Sequence, residues 1–304
     1  MTTPTTPSNQ PTQQLSTFSA IAIIVGIVIG AGIFKTPSMV AGVTGDAGWL
    51  IVAWVLGGVI SLAGALCYAE LATTYPHAGG DYHFLARAFG KPASFLYAWA
   101  KATVINTGSI ALLAFVFGDY MSKVVNLGPH STALWAVGVV VAMTLINLIG
   151  LHAASWVQTC LTMIEVTGLV CVAIAGFVLS GDAPASPALF SSSPSLGMFG
   201  LAMVFVLLTY GGWNEAAYIS AEVRGGKRAI VPVIVISIMI LTLIYVLFNI
   251  AVLAGLGLSG LAGSKAVAAD LMGKAFGPWG EKLLGVFVAV SALTSINATM
   301  IVGE

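Results

Sequence analysis

The sequence predicts an all-α membrane protein that crosses the bilayer many times, and three observations carry that prediction. Of 304 residues, 58% are hydrophobic and only 7% are charged, against about 25% charged in an ordinary soluble domain. The apolar residues fall into eight runs long enough to cross a bilayer, where a ~30 Å hydrocarbon core needs ~20 residues of helix. Two of those runs are interrupted by glycine clusters near their expected midpoints. A soluble surface needs charge that this chain lacks. The composition therefore excludes a soluble enzyme, a nucleic-acid binder with a basic face and a disordered regulator.

The runs cover approximately 18–43, 48–73, 93–118, 132–150, 153–180, 196–222, 230–257 and 281–303, and are called spans 1 to 8. Residues 1–17 are rich in Thr, Pro, Gln and Ser and carry no charge, which predicts a disordered tail and not a signal peptide. The loop 74–92 holds Arg87 and Lys91, and the loop 223–229 holds Arg224, Lys227 and Arg228. Alternating spans put both on one side, and the three-charge cluster places that side, with the N-terminus, in the cytoplasm. Residues 181–195 are Ser/Pro-rich and predict irregular chain on the outer face. Residues 264–276 are amphipathic and too polar to span, so a short helix at the outer surface is expected. Cys67, Cys160 and Cys171 lie inside apolar runs; they have neither disulfide nor metal spacing and read as small buried hydrophobes. The four histidines fall in loops or at span ends with no metal-ligand spacing.

The glycine clusters are Val25-Gly26-Ile27-Val28-Ile29-Gly30-Ala31-Gly32-Ile33-Phe34 in span 1 and Leu208-Thr209-Tyr210-Gly211-Gly212-Trp213-Asn214-Glu215 in span 6. Glycine has no Cβ and disfavours helix. Unwound backbone at membrane depth is tolerated only where it lines a cavity or is buried in protein. A broken helix offers N–H groups at one half-helix start and carbonyls at the other half-helix end. The first suits a carboxylate and the second an ammonium. One such cluster alone is as well explained by close helix packing through small residues, as at Gly57-Gly58. A pair in spans 1 and 6, each opening a five-helix half, points to an inverted-repeat transporter.

Four stretches together resemble the amino acid–polyamine–organocation family of permeases, most closely its amino acid transporters. They are Gly30-Ala31-Gly32-Ile33-Phe34; Tyr68-Ala69-Glu70-Leu71 with Pro76, Gly79-Gly80, Tyr82 and Leu85; Tyr210-Gly211-Gly212-Trp213-Asn214 with Glu222, Lys227-Arg228 and Pro232; and Ser291, Ser295 and Asn297-Ala298. The resemblance implies a LeuT-like fold of two inverted five-helix repeats plus two further helices, with helices 1 and 6 broken. It implies alternating access around a midplane site. A substrate carboxylate would sit on the N–H groups near Ala31, Gly32 and Ile33, and its α-amine on carbonyls near Ile29, Leu208, Thr209 and Gly211. On this reading residues 18–180 form the first repeat and 196–304 a partial second. The family usually has twelve spans, so the chain is expected to be an incomplete permease with about eight.

Two further positions depart from the family pattern. Many relatives carry a lysine where span 5 has Glu165, a residue thought to stand in for a bound cation. Glu165 lies ~18 Å along its span, where an ionised carboxylate is costly unless paired. Three readings stay open: a neutral, hydrogen-bonded acid; an ion pair with Lys101, at comparable height in span 3; or a group that exchanges protons or binds a cation. Leu208 stands where exchangers often have an aromatic gate and can fill space but not stack.

Trp213 and Tyr210 read equally as a gate over substrate or as bundle packing. Asn214 reads as a substrate ligand or a cap for the second half-helix. Glu215 reads as tuning the site charge or bonding freed backbone. Ser291 and Ser295 are hydroxyls at depth; in sodium-coupled relatives of the fold such groups help hold a cation, but hydroxyls also bond back to their own helix. Glu70 and Glu222, at span ends, are expected to pair with Arg87 or Arg224.

The leading function is thus secondary transport of amino acids or related amines, exchanging or proton-coupled, in the plasma (inner) membrane. The other reading is a non-transporting permease fragment. No G-x-x-x-x-G-K-[ST] motif supports ATP-driven pumping, and no nucleophile–base or metal constellation supports a membrane enzyme. No cofactor is implied. The expected partners are a small amino acid and the lipid bilayer, with no nucleic acid.

Overall fold

The structure is a computed structural model and describes residues 15–75, 77, 79–179, 189–215, 223–225, 227–264 and 266–303. It is almost entirely helical. Among the described residues, seven helices are long and apolar enough to cross a membrane. Thr17–Val28 and Thr36–Thr44, joined through a short 3-10 turn at Ala31–Phe34, make an eighth traverse as broken span 1. Span 2 is Ala47–Thr74, span 4 is Ser131–Ile149, span 5 is Leu151–Val178 and span 8 is Pro278–Gly303. Span 3 runs through Lys91–Ala100, a π-helical turn at Lys101–Asn106, and Thr107–Val124. Span 6 is helical over Leu196–Tyr210 and resumes as a turn at Trp213–Glu215; its expected remainder to residue 222 lies outside the described residues. Span 7, Lys227–Gly263, is kinked at Gly257, where φ is 69°.

Side chains set several of these boundaries. Ser16 accepts a hydrogen bond from the Ser19 N–H at the start of span 1, and Ser195 does the same for Met198 at span 6. Most of the expected tail, residues 1–14, lies outside the described residues. Leu15 is buried and bridges in parallel to Val223, with the Arg224 N–H donating to the Leu15 carbonyl at 2.8 Å. Leu15, at the start of span 1, and the segment 223–225 after span 6 therefore share one end of the bundle.

The opposite end is tied by Asp46, the N-cap of span 2. Its carboxylate accepts from the N–H groups of Gly48 and Trp49 and from Phe190 N–H, Ser191 Oγ and Ser192 N–H of the segment after span 5. That segment is irregular over 189–195, and residues 180–188 lie outside the described ones. Val267–Phe276 is the expected short helix; Val267, Ala268, Leu271 and Met272 bury its apolar face.

Spans 2 and 5 flank span 7, and span 8 packs between spans 3 and 5. Small residues permit the closest approaches: a Cβ on Gly58 would overlap Thr242, and one on Gly176 would overlap the Ala251 backbone. This is how helices associate where lipid removes most of the hydrophobic drive. The cysteines correct the reading from sequence. Cys67 and Cys171 are exposed on their helices and Cys160 is intermediate, because a span is apolar on its outer face as well as its inner one.

Burial of the Asp46 side chain favours its neutral form, but the N–H groups of Trp49, Ser192, Phe190 and Gly48 outweigh this and hold the carboxyl below the ordinary range. Its stabilising contribution is then present above the unfolded value of about 3.9 and is lost as pH falls through the lower native value. Asp46→Ala should cost about 1–2 kcal/mol. In thermal melts its deficit should be constant near neutral pH and shrink below about pH 4.

Candidate functional site

The two breaks pack against each other, with Gly212 of span 6 against Ile27 and Val28 of span 1, while Gly32 and Gly211 are themselves exposed. In span 1 the helix ends at Val28; Ile29 and Gly30 are extended, and a 3-10 turn begins. The Ile33 N–H donates back to the Gly30 carbonyl at 3.3 Å and the Lys35 N–H to Gly32 at 3.0 Å. A turn opening this way leaves the Ala31 and Gly32 N–H groups without an acceptor inside it, while the third expected donor, Ile33, is engaged. In span 6 the Gly211 N–H closes onto the Leu208 carbonyl at 3.3 Å and Gly212 takes φ 107°. That conformation favours glycine, and the close fit adds to it, since a Cβ there would lie 2.9 Å from Ile27 Cγ2 of the other break. Gly32 is looser: a Cβ would meet Thr209 at 3.5 Å, ordinary contact.

Tyr245 of span 7 joins the two breaks. Its fully buried hydroxyl lies 2.9 Å from the Val28 carbonyl and 3.3 Å from the Thr209 carbonyl. Its ring packs edge-on against Trp54 and Tyr210. Tyr210 is itself fully buried and donates to the Trp54 carbonyl at 3.0 Å. The side chain of Tyr210 therefore belongs to the bundle core, which corrects the expectation that it contacts substrate. Thr209 Oγ1 bonds Thr36 Oγ1 at 2.9 Å across the breaks. Leu208, by contrast, is 74% exposed. Trp213 packs edge-on against Tyr68, with its ring over Gly64. Asn214 reaches Glu215 at 3.4 Å; the half-helix it was expected to cap lies outside the described residues.

Charge at depth is arranged in two ways. Glu165 is 2% exposed, and neither carboxyl oxygen has a hydrogen-bond partner. Ser291 and Thr294 of span 8 are its neighbours. The Ser291 and Ser295 hydroxyls are also buried without partners, and Ser295 Oγ lies 3.8 Å from where a Gly30 Cβ would be. A separate polar chain runs from span 4 through spans 8 and 5 to span 1, with Gln158 Nε2 3.5 Å from Thr162 Oγ1. Asn147 donates to Asn297, Asn297 to Gln158, and Thr162 to the Ala22 carbonyl of span 1.

Lys101 does not pair with Glu165. Its ammonium lies 3.0 and 2.9 Å from the two carboxyl oxygens of Glu215 and 4.0 Å from Asp81, which also accepts from the Tyr97 hydroxyl at 2.6 Å. Sequence position gave Lys101 a height in the membrane but not a direction around its helix. Arg87 likewise sits 4.2 Å over the Tyr75 ring, and no ion pair of Arg87 or Glu70 forms among the described residues.

Tyr245 escaped the sequence reading, as did Asp81 as a partner of Lys101. A phenol in the middle of an apolar span must find an acceptor when buried, and that signal was available in Leu243-Ile244-Tyr245-Val246-Leu247.

A family model described as "Amino acid permease" matches residues 15–303. The chain is 32% identical to the rat (Rattus norvegicus) b(0,+)-type amino acid transporter 1 over 98% of this chain and 62% of that protein. It is 30% identical to the mouse (Mus musculus) Asc-type amino acid transporter 1 over 94% of this chain and 56% of that protein. The chain thus spans about three fifths of the length of the curated relatives it matches. Among solved structures, MhsT in complex with L-phenylalanine superposes with a TM-score of 0.66 at 18% identity, covering 96% of this chain and 73% of that one. That likeness shows the LeuT-like fold expected from the sequence.

Tyr245→Phe would leave two buried carbonyls at the breaks without their shared donor, at a cost of about 1–3 kcal/mol, read as a lower melting temperature. Gly26→Ala should destabilise by a similar amount, about 1–3 kcal/mol, since its Cβ would fall on Thr162 Oγ1 and Gln158 Nε2. Gly32→Ala, with room for its Cβ, should melt close to wild type.

Proposed function

Since the chain belongs to the amino acid permease family, we propose that it binds α-amino acids at the paired breaks of spans 1 and 6 and carries them across the membrane by alternating access. One observation carries this reading: two interrupted helices meet at depth, one presenting the N–H groups of Ala31 and Gly32, the other ending in the carbonyls around Leu208 and Gly211. A zwitterion matches that polarity at both ends. Ile29, Gly30 and Ile33 shape the first half of the site, and Leu208, Thr209, Trp213 and Asn214 the second. Residues 18–180 serve as the first repeat and 196–304 as part of the second.

The protein is a multi-pass membrane protein. We place it in the plasma (inner) membrane with the N-terminus cytoplasmic, supported by the Arg224, Lys227, Arg228 cluster beside the Leu15–Val223 tie. We assign coupling to Glu165 with Ser291 and Ser295. A buried carboxyl without hydrogen bonds is costly when ionised, and a coupling proton or cation bound there would offset that cost.

The test uses the purified chain in detergent and in proteoliposomes. Neutral L-amino acids should raise the melting temperature and be taken up, and Gly32→Val, which adds methyl groups at the donor end, should abolish binding. Substrate-dependent melting unchanged in Gly32→Val would refute the site. Neither stabilisation nor uptake across an amino acid panel would instead favour the non-transporting fragment. Glu165→Gln should flatten the pH dependence of uptake, and a retained wild-type profile would remove Glu165 from coupling.

A further inference from the structure

We propose that Lys101 sets the charge selectivity of the site: its ammonium occupies, on Glu215 and Asp81, the place that a positively charged substrate side chain would take, and so restricts the site to amino acids with uncharged side chains. This rests on the amino acid reading above and goes beyond it in naming the substrate class and the residue that selects it.

Position comes first. Glu215 follows Gly212 by three residues, and Gly212 is packed against Ile27 and Val28 of the other break. The Glu215 carboxylate is therefore within one turn of the paired breaks. The Glu215 N–H is spent on the Gly212 carbonyl at 3.0 Å, which fixes this turn. A bound amino acid held by its backbone at the breaks would project its side chain within reach of Glu215.

Composition comes second. Glu215 and Asp81 are two carboxylates, and the ammonium between them is Lys101. All three side chains are largely buried, with exposures of 22%, 7% and 11%. Removing one partner of a buried pair leaves a charge whose desolvation is uncompensated, and such a site recruits a cation. The Lys101 side chain ends in the same primary ammonium, on the same four-carbon stem, as the substrate L-lysine. It approaches from span 3 instead of from a ligand, as a tethered copy of the cation it keeps out.

Local structure comes third. The α-helix of span 3 gives way at Lys101 to the π-helical turn Lys101–Asn106. Such turns are rare overall and frequent at functional sites. Here the turn begins at the residue that reaches across to span 6.

The experiment compares equilibrium binding of radiolabelled L-lysine and L-leucine to the purified full chain and to Lys101→Gln. The ratio of L-lysine to L-leucine affinity should rise about tenfold or more, the worth of one charge-assisted hydrogen bond. The gain should vanish in Lys101→Gln/Glu215→Gln. An unchanged ratio, or a gain that persists without Glu215, overturns the proposal. Because Lys101→Gln removes the ammonium from between two carboxylates at a cost to folding, Lys101→Gln/Asp81→Asn, with one carboxylate left, is measured in parallel under the same criteria. A second probe, 1,5-diaminopentane, has the side-chain ammonium but no carboxylate. It should raise the melting temperature of the Lys101 variants and not of the wild type or the Glu215→Gln double variant. That shift, together with a wild type that binds no L-leucine, would sink the amino acid reading and keep the cation place. No shift with either probe overturns the proposal itself.

Discussion

Backbone hydrogen bonding at membrane depth is the constraint from which the rest of this structure follows. A helix can be broken inside a bilayer only if the freed N–H and C=O groups find partners or line a protected space. Here two helices are broken beside each other, and much of the surrounding structure supplies those partners. The Tyr245 hydroxyl serves the carbonyls of Val28 and Thr209, and Thr209 Oγ1 reaches Thr36 across the gap. The Trp54, Tyr210 and Tyr245 rings fill the space behind. With those groups engaged, the N–H groups of Ala31 and Gly32 are the polarity left at the donor end. On the proposed reading, the polarity that would bind substrate is a remainder, set by what the fold does not satisfy.

The same logic sorts the buried charges. Lys101 and Glu215 compensate each other at hydrogen-bond distance, with Asp81 close by. Pairs of this kind gain little net stability, but losing one partner is expensive. That asymmetry makes the pair a filter: it is nearly neutral when closed and demands a cation when opened. Glu165 is the opposite case. No basic group neutralises it among its identified neighbours, Ser291, Thr294 and Tyr245. Ionising such a group without a partner is costly. Two acids at depth thus have two physical roles because one has a lysine and the other has hydroxyls.

How much of this was legible in the sequence depended on whether a property runs along the chain or around a helix. The spans, the two breaks and the short helix Val267–Phe276 are linear features, and apolar run length with glycine spacing located them. Direction around a helix was not legible. Lys101 and Glu165 have comparable heights, yet Lys101 turns to Glu215. Tyr210 was read as equally suited to gate or core, and only its neighbours Trp54 and Tyr245 decide for the core. The cysteines failed for a related reason: in lipid, apolar sequence does not imply an inward face. Tyr245 was overlooked because a lone phenol in an apolar span carries no motif, although its need for an acceptor was a usable physical signal. Asp46 was hidden because its partners at 190–192 lie about 145 residues away, and only folding brings them together.

The ties at the two ends of the bundle differ in kind, and the difference bears on how such a molecule could alternate. At one end the Asp46 carboxylate gathers five donors from two loops, a compact clasp made outside the spans, where water can replace each bond if it opens. At the other end Leu15 makes an isolated β-bridge to Val223. Deeper in, the Lys101 ion pair joins span 3 and the helix Gly80–Phe89 to the segment beyond the span 6 break. Opening that pair exposes buried charge, so it needs either water or a replacement ion to be reached first. Between the two ends, span 1 is held to span 5 by the Thr162 hydrogen bond to the Ala22 carbonyl and by the close approach at Gly26. On the proposed alternating-access reading, a packed seam at spans 1, 5 and 8, with polar ties above and below, would keep the breaks in register while one end opens. The carbonyls that Tyr245 holds together would then move as one unit, and the site would keep its polarity as its access changes.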